Sequence, residues 1–162
     1  MAADVDADDR LELQRQVCFT LAVASREVVS LYRPLLAPLG LTHPQYLVMV
    51  ALWGAGRPLS IKELSRLLDL EAPTLSPLLK RLQSAGLVER QRDPADERSL
   101  LVSLTERGWT LRAEAATVPD ALFERLGMSV ESIETLRNVL TDLIAHAKET
   151  DGPDRAEEAV GT

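Results

Sequence analysis

Thiols are almost absent: Cys18 is the single cysteine among 162 residues. One thiol excludes an intrachain disulfide and any disulfide-stapled scaffold, and it fits a reducing, cytoplasmic setting. Aromatic residues are scarce as well, with two Trp, two Tyr and two Phe. The core must therefore be aliphatic, built from Leu, Val and Ala, which favours helices. No apolar run approaches the ~18 residues of a membrane span. The acidic start, Met1 to Asp9, lacks the apolar segment of a secretory signal. His43, His146 and Cys18 have no ligand-like spacing and no Cys-x-x-Cys occurs, so no metal is expected. Without a glycine-rich loop or a paired acid–base constellation, neither an enzyme nor a cofactor is expected.

Positive charge is the scarcer sign. The 18 Lys/Arg against 25 Asp/Glu give a net charge of −7, which argues against nucleic acid as a partner. The distribution softens that objection. Arg57 to Arg98 holds 8 basic and 7 acidic residues, a balance of +1, which leaves −8 for the remainder. An acidic body with a locally basic face can still bind DNA, although its non-specific affinity should be modest.

What is present is helical periodicity, broken once by a hairpin pattern. Residues 1–9 are small and acidic and are expected to be disordered, as is the polar tail, 150–162. Apolar residues at three- and four-residue steps predict a helix from about Arg10 to Leu36, kinked or ended by Pro34, and long terminal helices often serve partner contacts. Thr42 caps a second helix with Pro44 in its first turn, and Trp53 falls on its core face. Ser60 and Glu63 form a capping box that opens a third helix. A fourth begins with Thr74 as its cap, which places Pro77 harmlessly in the first turn, and Gly86 closes it in a left-handed conformation. Leu87 to Arg92 and Ser99 to Leu104 alternate as strands around a polar loop, Asp93 to Arg98.

That order predicts a mainly α chain with a small β-hairpin (α+β), a winged helix-turn-helix over residues 41–104. The outward face of the fourth helix carries Thr74, Ser76, Pro77, Lys80 and Arg81. Short hydroxyls suit base edges and the basic residues suit phosphates. Arg90 and Arg92 add charge along the hairpin. Arg98 is placed to enter a minor groove, steadied by a charge-assisted hydrogen bond from Asp96. Beyond the hairpin, Thr105-Glu106 caps a helix to about Val118, where Pro119 intervenes, and a shorter piece runs from Asp120 to Leu126. Ser129 starts a last helix whose Ile133, Leu136, Leu140, Leu143 and Ala147 form a narrow, coiled-coil-like seam. Residues 10–40 and 105–149 are thus expected to be dimerisation helices.

Several motifs within this pattern are recognisable. Leu87-Val-Glu-Arg90, Asp96-Glu-Arg-Ser99 and Leu104-Thr-Glu-Arg-Gly108 resemble the winged-helix signature of the MarR family of bacterial transcriptional regulators. Gln16-Val-Cys-Phe19, Ala24-Ser-Arg26, Tyr32-Arg-Pro-Leu-Leu36, Pro44-Gln-Tyr-Leu47 and Thr74-Leu-Ser-Pro-Leu-Leu-Lys80 resemble its organic-hydroperoxide-sensing repressors. The likeness covers roughly Leu11 to Ala116. It implies a homodimer on a palindromic double-stranded operator, released when organic hydroperoxide oxidises Cys18. In that subgroup, tyrosines at the positions of Tyr32 and His43 hydrogen-bond the cysteine. Here position 43 is histidine, and Ala22 stands where a further tyrosine is often found.

The residues constrain this chemistry further. Cys18 and Tyr32 share a helix face but lie ~21 Å apart along one straight helix, so any contact between them must cross a two-fold interface. His43 can donate a hydrogen bond and, if protonated, would favour a thiolate. With no second cysteine, an oxidised Cys18 would persist as sulfenic acid, react with a small thiol or a neighbouring amide, or over-oxidise, and the mixed disulfide with a low-molecular-weight thiol is the expected inducing form. The competing readings are a repressor controlled by a bound small molecule, a peroxide-consuming enzyme and a winged helix that binds protein instead of DNA.

Overall fold

The computed structural model describes residues 12–150. The expected disordered start, 1–9, and residues 151–162 of the expected disordered tail lie outside that range, and Thr150 closes the last helix. The chain divides after Leu122 into two compact units.

The first unit opens with a 3-10 turn, Leu13–Arg15, and then helix α1, Val17–Leu36. Of the helix expected from Arg10, Arg10 and Leu11 lie outside the described residues, and within them it starts later than expected. Gln16 is extended (φ −77°, ψ 115°) and breaks it, so α1 starts one residue before Cys18. Pro34 lies inside α1 and the helix ends two residues later. A 3-10 turn, Ala37–Leu39, then passes the chain to Gly40, whose φ of 66° suits glycine.

Helix α2, His43–Ala55, is the scaffold of the unit. Gln45 Oε1 accepts from the Thr42 N–H at 2.9 Å, and Pro44 occupies the first turn. Tyr46, Val48, Met49, Leu52 and Trp53 are buried. Trp53 is core, as expected, and its indole N–H donates to the Gly108 carbonyl at 2.9 Å. Strand β1, Leu59–Ser60, leads into α3, Ile61–Leu68. The Ser60–Glu63 capping box is present in both directions. Arg57, bonded to Glu63 at 2.8 Å, is the main reason that carboxyl is held down to about 2.

Asp69 (φ 53°) turns the chain into α4, Ala72–Ser84. This start corrects the expected cap at Thr74: the N-cap is Glu71, with Pro73 as second helical residue. Proline's fixed φ suits a first turn and its missing N–H is no loss there, so the helix begins ahead of it. Pro77 consequently sits in the helix interior, leaving the Pro73 carbonyl without its usual donor. Leu75, Leu79 and Leu82 bury the inner face of α4. Gly86 has φ 71°, and the Leu87 N–H returns to the Leu82 carbonyl, so the helix closes as predicted.

Strands β2, Val88–Asp93, and β3, Asp96–Leu104, form an antiparallel hairpin in which Arg90 pairs with Val102 and Arg92 with Leu100. β1 joins the other edge of β3, giving the order β1-β3-β2. The expected six-residue loop is thus mostly strand, closed by Pro94-Ala95, because Asp93 Oδ1 accepts from the Ala95 N–H at 2.8 Å and tightens the turn. Thr105 caps α5, Glu106–Ala115, accepting from the Gly108 N–H at 3.0 Å. Helix α6 is Val118–Leu126. Its break from α5 lies at Ala116-Thr117, ahead of Pro119, which sits in the first turn where no N–H is needed.

In the second unit, Ser129 accepts from the Ser132 N–H and starts α7, Val130–Thr150. None of its residues is buried, and Leu136, Val139, Leu143 and Ile144 are exposed. Among the described residues no single helix is long and apolar enough to cross a membrane.

Candidate nucleic-acid interface and sensor residues

Two groups of candidate residues fall in different parts of the first unit. On α4, Thr74, Ser76, Pro77, Lys80 and Arg81 are all exposed, opposite the buried leucines. The apolar i, i+4, i+7 pattern of Leu75, Leu79 and Leu82 dictates this, since burying one stripe turns the other outward. The helix therefore presents hydroxyls first and cations one turn later.

The hairpin beside it holds Arg90, Arg92, Asp96 and Arg98. Arg90 Nε donates to Gln83 Oε1 at 2.6 Å, tying β2 to the last turn of α4. Arg92 Nη1 donates to the Glu97 carbonyl at 3.2 Å across the hairpin. Asp96 does not hold the Arg98 guanidinium as expected. Its Oδ1 accepts from the Arg98 backbone N–H at 3.0 Å, because an Asp side chain reaches an amide two residues on more readily than a long side chain. Arg98 itself lies in β3, exposed, and lines a shallow groove of about 450 Å³ with Lys62, Ser65 and Ala72. Lys62 is a residue that sequence reasoning missed, read as an ordinary surface lysine until the sheet places it near Arg98. Gln83 belongs to the polar face expected of α4, but its bond to Arg90 forms only across the turn.

Cys18 is exposed, the second residue of α1. The N–H groups of a helix's first turn have no acceptor within the helix and favour negative charge beside them. The periodicity, which ran the helix back to Arg10, concealed this placement. At the far end of α1, Tyr32 packs against His43, ring centroids 4.6 Å apart, and against Tyr46 at 5.9 Å. Tyr46 is the member that was missed, although its spacing of three from His43 on a helix carried the signal. Among the described residues, the Tyr32 hydroxyl and the His43 ring make no hydrogen bond. The structure therefore brings Tyr32 and His43 together and leaves Cys18 of the same chain apart from them.

Burial pushes the His43 imidazole below its ordinary value and the Tyr32 phenol above it. Burial thus disfavours the protonated form of His43 and leaves its ring nitrogens without a partner among the described residues. At His43 the unfolded chain binds a proton more readily than the folded one, so stability should fall as pH drops from about 7 towards 5. His43→Gln should flatten that part of a denaturation-midpoint-versus-pH curve. An unchanged slope would show that His43 is not desolvated.

A helix pair joined by a tight turn, an outward polar recognition face and an antiparallel hairpin beside it define a winged helix-turn-helix DNA-binding protein. Comparisons with known proteins narrow the class. Residues 39–99 match the MarR family. The chain is 41% identical over 135 residues to the organic hydroperoxide resistance transcriptional regulator of Bacillus subtilis, covering 83% of this chain and 89% of that one. Among solved structures, reduced AbfR bound to DNA superposes with a TM-score of 0.74 at 31% identity, covering 88% of this chain and 96% of that one. CouR from Rhodococcus jostii RHA1 bound to p-coumaroyl-CoA gives 0.69 at 26% identity, covering 82% and 94%. The chain belongs to the MarR family of transcriptional regulators.

Proposed function

We propose that the protein is a homodimeric, cytoplasmic repressor released from a palindromic operator when organic hydroperoxide oxidises Cys18. The observation that carries this reading is the separation of Cys18 from the Tyr32–His43 pair along α1, with neither polar tip of that pair hydrogen-bonded within the described chain. Two copies pairing with antiparallel first helices bring Cys18 of one to Tyr32 and His43 of the other. Exposed Leu13, Val17 and Phe19 near Cys18, Val29 further along α1, and the apolar residues of α7 provide surface for such a dimer. The similarity to the Bacillus subtilis regulator supports the peroxide.

In the reaction the Cys18 sulfur attacks one peroxide oxygen and the O–O bond breaks. The other oxygen leaves as an alcohol, taking up the proton, and the sulfur is oxidised by two electrons to a sulfenic acid. A small thiol then displaces hydroxide, released as water, to give the mixed disulfide. The α4 face docks in the major groove, with Arg98 of the hairpin in the adjoining minor groove. Arg98→Ala should weaken operator binding by ~1–3 kcal/mol. Equal affinities in a titration would remove the hairpin from the interface.

The test is a DNA-binding titration against the duplex upstream of the protein's own coding sequence, with and without organic hydroperoxide. Loss of binding in step with Cys18 oxidation supports the proposal, and persistent binding by fully oxidised protein sinks it. A second reading, release by a bound small molecule, is favoured by the similarity to CouR, whose structure holds p-coumaroyl-CoA. Release by such a compound with Cys18 still reduced would select it.

A further inference from the structure

The C-terminal end of α4 is held by groups that lie outside the helix-turn-helix pair. Thr105 Oγ1 donates to the Gly86 carbonyl at 2.6 Å, and Arg107 Nη1 donates to the Ala85 carbonyl at 3.1 Å. The Thr105 N–H donates to the Leu87 carbonyl at 3.1 Å. A Cβ on Gly108 would overlap that same carbonyl oxygen, so the first turn of α5 lies directly on the exit from α4. The Gly108 carbonyl in turn accepts from the Trp53 indole of α2. Three residues of one turn, Thr105, Arg107 and Gly108, therefore join α5 to α4 and α2 at one point.

Among the described residues, the opposite end of α4 has no matching hydrogen-bonded attachment. Its N-cap, Glu71, makes no side-chain capping bond, and inward hold along the helix comes from the apolar stripe of Leu75, Leu79 and Leu82. Apolar contact is non-directional and lets a helix rock about its long axis, whereas hydrogen bonds at one end fix its angle. A guanidinium on terminal carbonyls also suits the negative end of the helix.

We infer that Arg107 is a positioning residue for DNA recognition: with Thr105 it anchors the C-terminal end of α4 to the start of α5 and so sets the angle of the reading face, without touching DNA. The inference rests on α4 being the recognition helix.

The experiment compares wild type with Arg107→Ala, Arg107→Gln and, as a control for direct contact, Lys80→Ala. Binding is measured to the duplex upstream of the protein's own coding sequence and to a scrambled duplex of equal composition, over a salt series and alongside thermal stability. Arg107 is exposed, so its variants should fold. Arg107→Ala should lower discrimination between the two duplexes about tenfold while leaving the salt slope unchanged. Arg107→Gln, which keeps a donor but no charge, should restore most of that loss. A slope reduced by ~1 would make Arg107 a phosphate contact and overturn the inference. Unchanged discrimination overturns it too, while a falling Lys80→Ala affinity in that case leaves the recognition-helix reading standing. If wild type fails to discriminate and Lys80→Ala has no effect, the reading of α4 falls and takes this inference with it.

Discussion

Cys18→Ser protein should bind its operator as tightly as wild type and remain bound when organic hydroperoxide is added. Cys18 is exposed and belongs to α1, not to the α4 face or the hairpin, so its loss removes no proposed DNA contact. A serine hydroxyl is close in size but does not reduce a peroxide, so the whole response should vanish, the largest functional change expected from any single substitution here. Mass spectrometry on wild type treated with limiting hydroperoxide and a small thiol should find that thiol on Cys18. Release from DNA with Cys18 unmodified, or release of the serine variant, would transfer the sensing role to a bound ligand.

The largest structural effect should come from Leu79→Ala, with a loss of about 2–5 kcal/mol in unfolding free energy. Leu79 is fully buried in the middle of the inner stripe of α4, in the same core as Met49, Leu64, Val88 and Val102. Flanked by Leu75 and Leu82 on a helix pinned at its far end, it has neighbours poorly able to collapse into the space left. Since domains are stable by only about 5–15 kcal/mol, a substantial part of the protein's stability is involved. Ser76→Ala on the outer face of the same helix should move stability by no more than about 0.5 kcal/mol. Chemical denaturation of the pair checks both, and similar losses would contradict the orientation of α4.

These two residues also illustrate how far the sequence could be read. The spacing of Leu75, Leu79 and Leu82 places the buried and outward faces of α4 without any structure, because a 3.6-residue period leaves little choice once the element is helical. Helix ends were harder to place. Thr74 looks like a cap and Pro77 like a first-turn residue, yet Pro73 is as good a first-turn residue, and packing of the leucines extends the helix back to it. The start of α1 was obscured in the same way, since apolar periodicity continues through Gln16 while the backbone does not.

Side chains meeting across elements were mostly beyond reach. Asp96 and Arg98 look like an ion pair in sequence, but the backbone amide is the nearer donor. Arg90 with Gln83, Lys62 with Arg98, and Arg107 with Ala85 are set by how the sheet and α5 lie against α3 and α4.

The sequence by itself determined the order of helices and hairpin, the aliphatic core, the outward face of α4 and the single thiol that any redox chemistry must use. Those properties depend on residue type and short-range periodicity, which one chain carries in full. Only the tertiary structure decided that Cys18 sits in a helix's first turn, that Tyr46 joins Tyr32 and His43, and that α4 is anchored at one end by Thr105 and Arg107. Such contacts link residues distant in the chain or depend on where a helix begins, and packing, not local propensity, settles both.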